Sequence, residues 1–191
     1  MTYRFVPLAL VVLVSACADS NARFPIAAEV TAPAAAVTQM RLAVSTIEVQ
    51  DVSLPAYAAA SEIVIEQADG SLRVVPKAIW ADDPVRGVTN ALSRSLDLRS
   101  TATVVAEPWP LAEPAAVKLE VRIDQMVASV GGNFTLSGQY AIAAPEGAIR
   151  ERVKRFSVST PMTDDSAASV AKATGVAIDN LATEILTQLR R

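Results

Sequence analysis

The chain has no histidine, and its only cysteine stands at position 17 of 191 residues. A Ser-His-Asp or Cys-His catalytic site cannot be assembled without histidine, and a structural zinc site of cysteine and histidine ligands has one ligand available. No disulfide can form within the chain. Aromatic residues are only 5% of the total, including two tryptophans. Charged residues are 19%, with 17 Lys+Arg against 20 Asp+Glu and a net charge of −3, a balance that suggests no nucleic-acid partner. Asp/Glu-only sites and Ser-Lys pairs survive these absences, so catalysis is disfavoured without being excluded.

What is abundant is small and apolar. Hydrophobic residues make up 51%, but 35 of the 191 residues are alanine. The content is high enough to argue against disorder throughout. Met1-Thr2-Tyr3-Arg4 precedes an apolar run from Phe5 to Val14, and Ser15-Ala16 ends it. One positive charge, a run too short to span a bilayer comfortably and a small-residue ending make a secretory signal; an N-terminal anchor helix is the alternative. Val14-Ser15-Ala16-Cys17 resembles the lipobox of bacterial lipoproteins, in which the cysteine becomes the first mature residue and carries the lipid. A free buried cysteine is the plain alternative for Cys17. Dual acylation already exceeds the marginal grip of a single chain. By the sorting rule for such lipoproteins, an aspartate directly after the cysteine retains the protein at the inner membrane; here Ala18 follows and Asp19 is one further on, so the outer membrane, facing the periplasm, is expected.

The reading therefore divides the chain into a lipoprotein-type signal peptide at 1–16, a lipid-anchored flexible tether at 17–38 and one domain at 39–191. The tether is rich in Ala, Pro and Thr, with Pro25 and Pro33, although Phe24 to Val30 could add an edge strand. Met40, Leu42 and Val44, then Ile47, Val49 and Val52, predict a strand that runs into an irregular segment at Leu54-Pro55. Strands at Glu62–Gln67 and Leu72–Pro76 around Asp69-Gly70 predict a hairpin whose tip needs positive φ angles. Asp82-Asp83-Pro84 announces a helix with a stripe of Val85, Val88, Leu92 and Leu96, ending near Leu98. A strand over Thr101–Ala106 and a loop over Glu107–Pro114 follow.

Val117, Leu119, Val121 and Ile123 alternate with Lys118, Glu120, Arg122 and Asp124, which predicts one buried and one solvated face. Phe134, Leu136, Tyr140 and Ile142 resume the alternation after Gly131-Gly132, and Pro145-Glu146-Gly147 precedes a third segment, Ile149–Ser159; together these predict an antiparallel meander. From about Asp164 the chain reads as helix, with Val170, Ala173, Ala177, Leu181, Ile185 and Leu189 on one face and Lys172, Asp179 and Glu184 on the other. The fold class expected is α+β, a two-layer sandwich of a mostly antiparallel sheet with two main helices, one central and one C-terminal.

Few residues stand out as functional. Trp80 is either a partner-contacting anchor or core packing against the helix that follows, with core packing favoured. Trp109, between Pro108 and Pro110, is the preferred surface aromatic; the alternative is a loop lid on the core. The run Arg150, Arg152, Lys154 and Arg155 either attracts an anionic surface or is the solvated face of a strand, the second being favoured because Glu146 and Glu151 interleave it. The pairs Asp82-Asp83 and Asp164-Asp165 are explained by helix capping before acid/base work need be invoked. Gly131-Gly132 lacks the lysine and helix of a phosphate loop. No catalytic or metal-ligating residue and no cofactor is expected.

Several segments together resemble the ABC-transport auxiliary lipoproteins of the PqiC/YmbA type. They are Cys17, the stretch Ile47 to Tyr57 (IEVQDVSLPAY), Glu62-Ile63-Val64-Ile65, Trp80 before a helix, the strand Leu119 to Ile123, the Gly131-Gly132 turn and the alanine-rich C-terminal helix ending Leu181-Ala182-Thr183-Glu184-Ile185. The family usually has leucine, a polar residue and arginine after the tyrosine, where this chain has Ala58, Ala59 and Ala60. The resemblance implies a non-catalytic, outer-membrane-anchored component of an envelope lipid-transport system. Its partner would be an MCE-domain protein and, through it, an inner-membrane ABC transporter, with assembly into a homo-oligomeric ring plausible for such a dock. Tyr57, Trp80 and Trp109 are the candidate partner contacts. A carrier that itself encloses an acyl chain is the alternative, and an envelope hydrolase ranks last.

Overall fold

In the computed structural model, residues 21–27 and 38–190 are described. The expected signal peptide, Cys17 and most of the expected tether lie outside them. Among the described residues eight strands and three helices follow in the order β1 (Ala22–Phe24), β2 (Thr46–Val49), α1 (Ala56–Ala59), β3 (Glu62–Glu66), β4 (Leu72–Trp80), α2 (Pro84–Arg99), β5 (Thr103–Ala106), β6 (Val117–Ser129), β7 (Asn133–Ala143), β8 (Arg152–Pro161) and α3 (Ala167–Leu189).

The meander is where the alternation put it: β6 pairs antiparallel with β7, and β7 with β8. The other edge of β6 is shared. Ile47–Val49 of β2 lies parallel to Val117–Leu119, and Ile65–Glu66 of β3 lies parallel to Ala128–Ser129, so β2 and β3 sit end to end along one long strand. Strand β5 adds parallel to β2, β4 adds antiparallel to β3, and β1 adds parallel to β4. The sheet is therefore mixed, with four parallel and three antiparallel pairings, and not mostly antiparallel. Periodicity reports which face of a strand is buried but not its neighbour, and here each non-consecutive pairing is parallel.

The hairpin tip is a three-residue loop over 68–70, not a two-residue turn with two left-handed residues. Gly70 alone takes positive φ (80°); its N–H donates to Gln67 O, and Gln67 N–H donates to Ser71 O. That is a turn closed by a glycine bulge. Strand β4 also outruns its expected end at Pro76. Between the pairs Glu62–Ile79 and Val64–Val74, β3 advances two residues while β4 covers five. The extra residues bulge around Pro76, which cannot donate to the ladder, and Lys77 adopts φ 57° there. Strand β1 occupies Ala22–Phe24, within the stretch read as tether and earlier than the edge strand considered over 24–30.

Helix α2 starts as its sequence dictates: Asp83 Oδ1 accepts from Arg86 N–H at 2.9 Å and Pro84 takes the first position. Helix α3 is capped by Ser166, whose Oγ accepts from Ser169 N–H at 3.2 Å, and not by Asp164 or Asp165. Leu92 and Leu96 of α2 and Ile178, Leu181 and Ile185 of α3 are at most 1% exposed. Each such side chain contributes about 1.5–3 kcal/mol by leaving water. They pack with Ile47, Val49, Leu119, Phe134, Leu136 and Ile142 in one core cluster. Asp179, expected on the solvated face of α3, is instead only 6% exposed. Its carboxylate accepts from Ser95 Oγ–H at 2.5 Å and pairs with Arg99 at 3.2 Å, tying α3 to α2.

Candidate functional site

The most distinctive surface feature is the loop between β5 and β6. It begins at the cis Glu107–Pro108 peptide and runs over the outer side of β2 before returning to β6 at Val117. Glu107 N–H donates to Val49 O (2.8 Å) and Glu107 Oε1 accepts from Asp51 N–H (2.8 Å), which ties the start. Ala116 N–H donates to Thr46 Oγ1 (2.8 Å), which ties the end. The middle rests on Glu48, whose Oε1 accepts from Trp109 N–H (3.2 Å) while its Oε2 pairs with Lys118 Nζ (3.3 Å). The Glu48 side chain is 9% exposed. A carboxylate this deep has to be partnered, and here one partner is the loop backbone.

Trp109 is half-buried at the crest, its indole N–H donating to Glu113 O at 2.8 Å. Leu111, two residues on, is 57% exposed. The frame thus holds a large aromatic, with both its N–H groups satisfied, beside an open leucine. Such a surface contributes apolar contact to a partner at small entropic cost.

The other two expected contacts lie elsewhere. Trp80 is 5% exposed at the end of β4, so it belongs to the core and offers no surface anchor. Its N–H donates to Ser61 O at 2.8 Å. Tyr57 is half-buried on α1, and its hydroxyl accepts from Met126 N–H at 3.1 Å, making it a strut between α1 and β6. Both flank a small, partly open cavity of about 10 Å³ with Val64, Met126 and Phe134. That is the room of a single water, far below the roughly 300–1,000 Å³ of ligand pockets. Larger hollows include open surface grooves, such as one of about 450 Å³ beside β4.

The paired carboxylates are engaged locally. Asp82 accepts from the Arg86 guanidinium, which holds its carboxyl below the usual carboxylate range. Asp164 is also lowered, by the Ser166 hydroxyl and N–H, and Asp165 Oδ1 accepts from Gly131 N–H (2.9 Å) at the β6–β7 turn. That turn needs Gly131 at φ 61°. Arg150, just before β8, and Lys154 and Arg155 within it are exposed and Arg152 is half-buried; among the described residues β8 pairs with β7 alone. Lysine and arginine there discourage edge-to-edge pairing. Among the described residues no group of three or more Asp, Glu, His or Cys gathers to hold a metal, and no helix is long and apolar enough to cross a membrane.

Two buried charges escaped the sequence reading. Glu48 sits between Ile47 and Val49, both 0% exposed, a run buried on both faces. The signal for Asp179 was its neighbours on the helix: Gly175, Ala182 and Leu186, four before and three and seven after it, are all small or apolar.

Comparison with known proteins gives a consistent picture. The family model described as ABC-type transport auxiliary lipoprotein component matches residues 28–186. A crystal structure of an uncharacterised protein superposes with a TM-score of 0.66 at 16% identity, covering 79% of this chain and 98% of its own. A family DUF330 protein from Xanthomonas campestris superposes at 0.61 with 18% identity, covering 79% and 85%. At such identities these two establish the fold alone. Among curated proteins none matches the chain.

Proposed function

The chain belongs to the ABC-type transport auxiliary lipoprotein family, and from that premise we propose that it is a non-catalytic docking subunit at the outer membrane. In this reading Cys17 carries the lipid, the domain faces the periplasm, and the Trp109–Leu111 loop receives an MCE-domain partner that connects to an inner-membrane ABC transporter. Lipid travels inside the partner, and the lipoprotein holds the partner's far end. Assembly of several copies around that end belongs to the same reading.

The observation that carries it is the braced loop: Glu48 is committed beneath Trp109, and Leu111 is left in solvent. A carrier would instead need a hollow of acyl-chain size, and the cavity beside Trp80 is about 10 Å³. The test is to purify the tagged lipoprotein from its native envelope in mild detergent and identify what co-elutes. Docking predicts an MCE-domain protein that is lost with Trp109→Ala and Leu111→Ala and retained with Arg150→Ala and Arg152→Ala. Recovery of the lipoprotein alone with stoichiometric phospholipid would overturn docking in favour of the carrier.

A further inference from the structure

The position of β1 limits how far the domain can stand from its anchor. Ala22 lies opposite Ala78 and Phe24 opposite Trp80, and the pairing is parallel. Followed towards its N-terminus, the chain therefore heads along β4 in the direction of Leu72. Asn21 is the last residue before this strand, and Cys17 is four residues further back. Four residues span at most about 14 Å. While β1 stays paired, a lipid on Cys17 has to lie within that distance of Asn21, however its four residues run. The long tether expected over 17–38 thus has an effective reach of four residues.

The surface within that reach is unusual for this molecule. Val74 lies four residues along β4 from Ala78, roughly 13 Å for extended chain and less across the bulge. Among the described residues five large hydrophobics are strongly exposed, and three of them gather here: Leu72 (41%), Val74 (53%) and Val130 (46%). Val74 and Val130 line the open groove beside β4, whose wall includes Ile65, Val75 and Pro76, and Leu72 stands two residues before Val74 on the same strand. Val130 joins them because its N–H donates to Glu66 O, which brings the β6–β7 turn against the β3–β4 hairpin. The charges at this end are mixed. Arg23, Arg73 and Lys77 are exposed, but so are Asp69, Asp164 and Asp165. An apolar rim with balanced charge fits the boundary between headgroups and acyl chains better than a charged partner surface.

We infer that the end of the domain formed by the β3–β4 hairpin and the β6–β7 turn is a membrane-contact face, with Leu72, Val74 and Val130 seated in the bilayer interface beside the lipidated Cys17. This rests on lipid attachment at Cys17, as the docking reading does. It adds an orientation: Leu119, beside the Trp109 loop, is ten residues along β6 from Ser129, roughly 30 Å away, so the loop would face away from the membrane.

The experiment uses the full lipidated chain reconstituted in vesicles of phosphatidylethanolamine and phosphatidylglycerol. Val74→Cys, Val130→Cys and Val153→Cys variants each carry an environment-sensitive fluorophore, Cys17 being blocked by its thioether. Val153 is 64% exposed and aligned with Glu120 at the far end of β6, which makes it the control. Flotation with the vesicles reports the anchor, and quenching by spin-labelled lipid reports contact. Loss of emission at positions 74 and 130 but not at 153 is the expected result. Vesicle-bound protein with unquenched labels at 74 and 130, or with equal quenching at 153, overturns the orientation while leaving the anchor intact. Failure to float removes the anchor and the orientation with it.

Discussion

Replacing Glu48 separates the two things its carboxylate does. Glu48→Gln keeps an oxygen for Trp109 N–H but gives up the charge facing Lys118. Because the Lys118 side chain is 47% exposed, that ion pair resembles a surface pair and contributes about 0–1 kcal/mol. Glu48→Ala removes the acceptor as well. A hydrogen bond to a charged group contributes about 1.5–3 kcal/mol, so the alanine variant should lose about 1.5–4 kcal/mol in all and the glutamine variant about 1 kcal/mol or less. Urea unfolding with linear extrapolation measures both losses. Amide exchange across residues 107–116 then reports whether the damage is local: the Trp109 amide should lose protection in Glu48→Ala while the β6–β7 amides keep theirs. Equal losses for the two variants, or a loss under about 0.5 kcal/mol for alanine, would refute the bracing role assigned to this carboxylate.

Three further predictions concern the frame. At Gly138 an added Cβ would stand 2.9 Å from Ile123 Cα and closer still to Arg122 O, both backbone atoms of β6 beside its register shift, so Gly138→Ala should cost about 3 kcal/mol or more by denaturant unfolding. At Gly132 the nearest atom stands at 3.4 Å, and Gly132→Ala should stay within about 1 kcal/mol; similar costs at both sites would contradict the close approach. Asp179→Ala strands Ser95 and Arg99 and should cost about 3 kcal/mol, whereas Asp179→Asn keeps an oxygen for Ser95 and should cost less, a ranking that identical midpoints would overturn. Tyr140, 1% exposed and donating to Glu184 at 3.3 Å, has its phenol pushed up to about 12, chiefly by burial and then by the Glu184 charge. Since the folded value is raised, the associated stability, at most about 2–3 kcal/mol, is fully present below pH ~10 and is lost as pH rises through ~12. Tyr140→Phe should flatten that alkaline decline; an unchanged decline would point to other groups.

What could be read from the residues followed the range of the interactions. The β6–β7–β8 meander was legible because strict alternation and glycine or proline turns are local signals, and α2 was legible from Asp83-Pro84 and a single stripe. The parallel neighbours of β2 were not. Ile47–Val49 meets Val104–Ala106 and Val117–Leu119 across more than fifty residues of chain, and nothing local in any of the three segments names the others. Proline usually ends a ladder, so the residues point to a strand end at Pro76, whereas a bulge with Lys77 in the left-handed region carries β4 on to Trp80. Of the three aromatic candidates, only Trp109 stayed at the surface in a braced loop. Its flanking prolines carried that information, while the buried glutamate beneath it was hidden inside an apolar run.

The central claim is that the Trp109–Leu111 loop is where a protein partner is received. The most direct measurement places a photo-crosslinking residue at Leu111, with Val153 as the control, in the full lipoprotein within its native envelope, and identifies the products by mass spectrometry. Docking through this loop predicts a discrete adduct with an MCE-domain protein from position 111 and none from position 153. An adduct of that partner from position 153 alone, or adducts of position 111 with lipid alone, would contradict it.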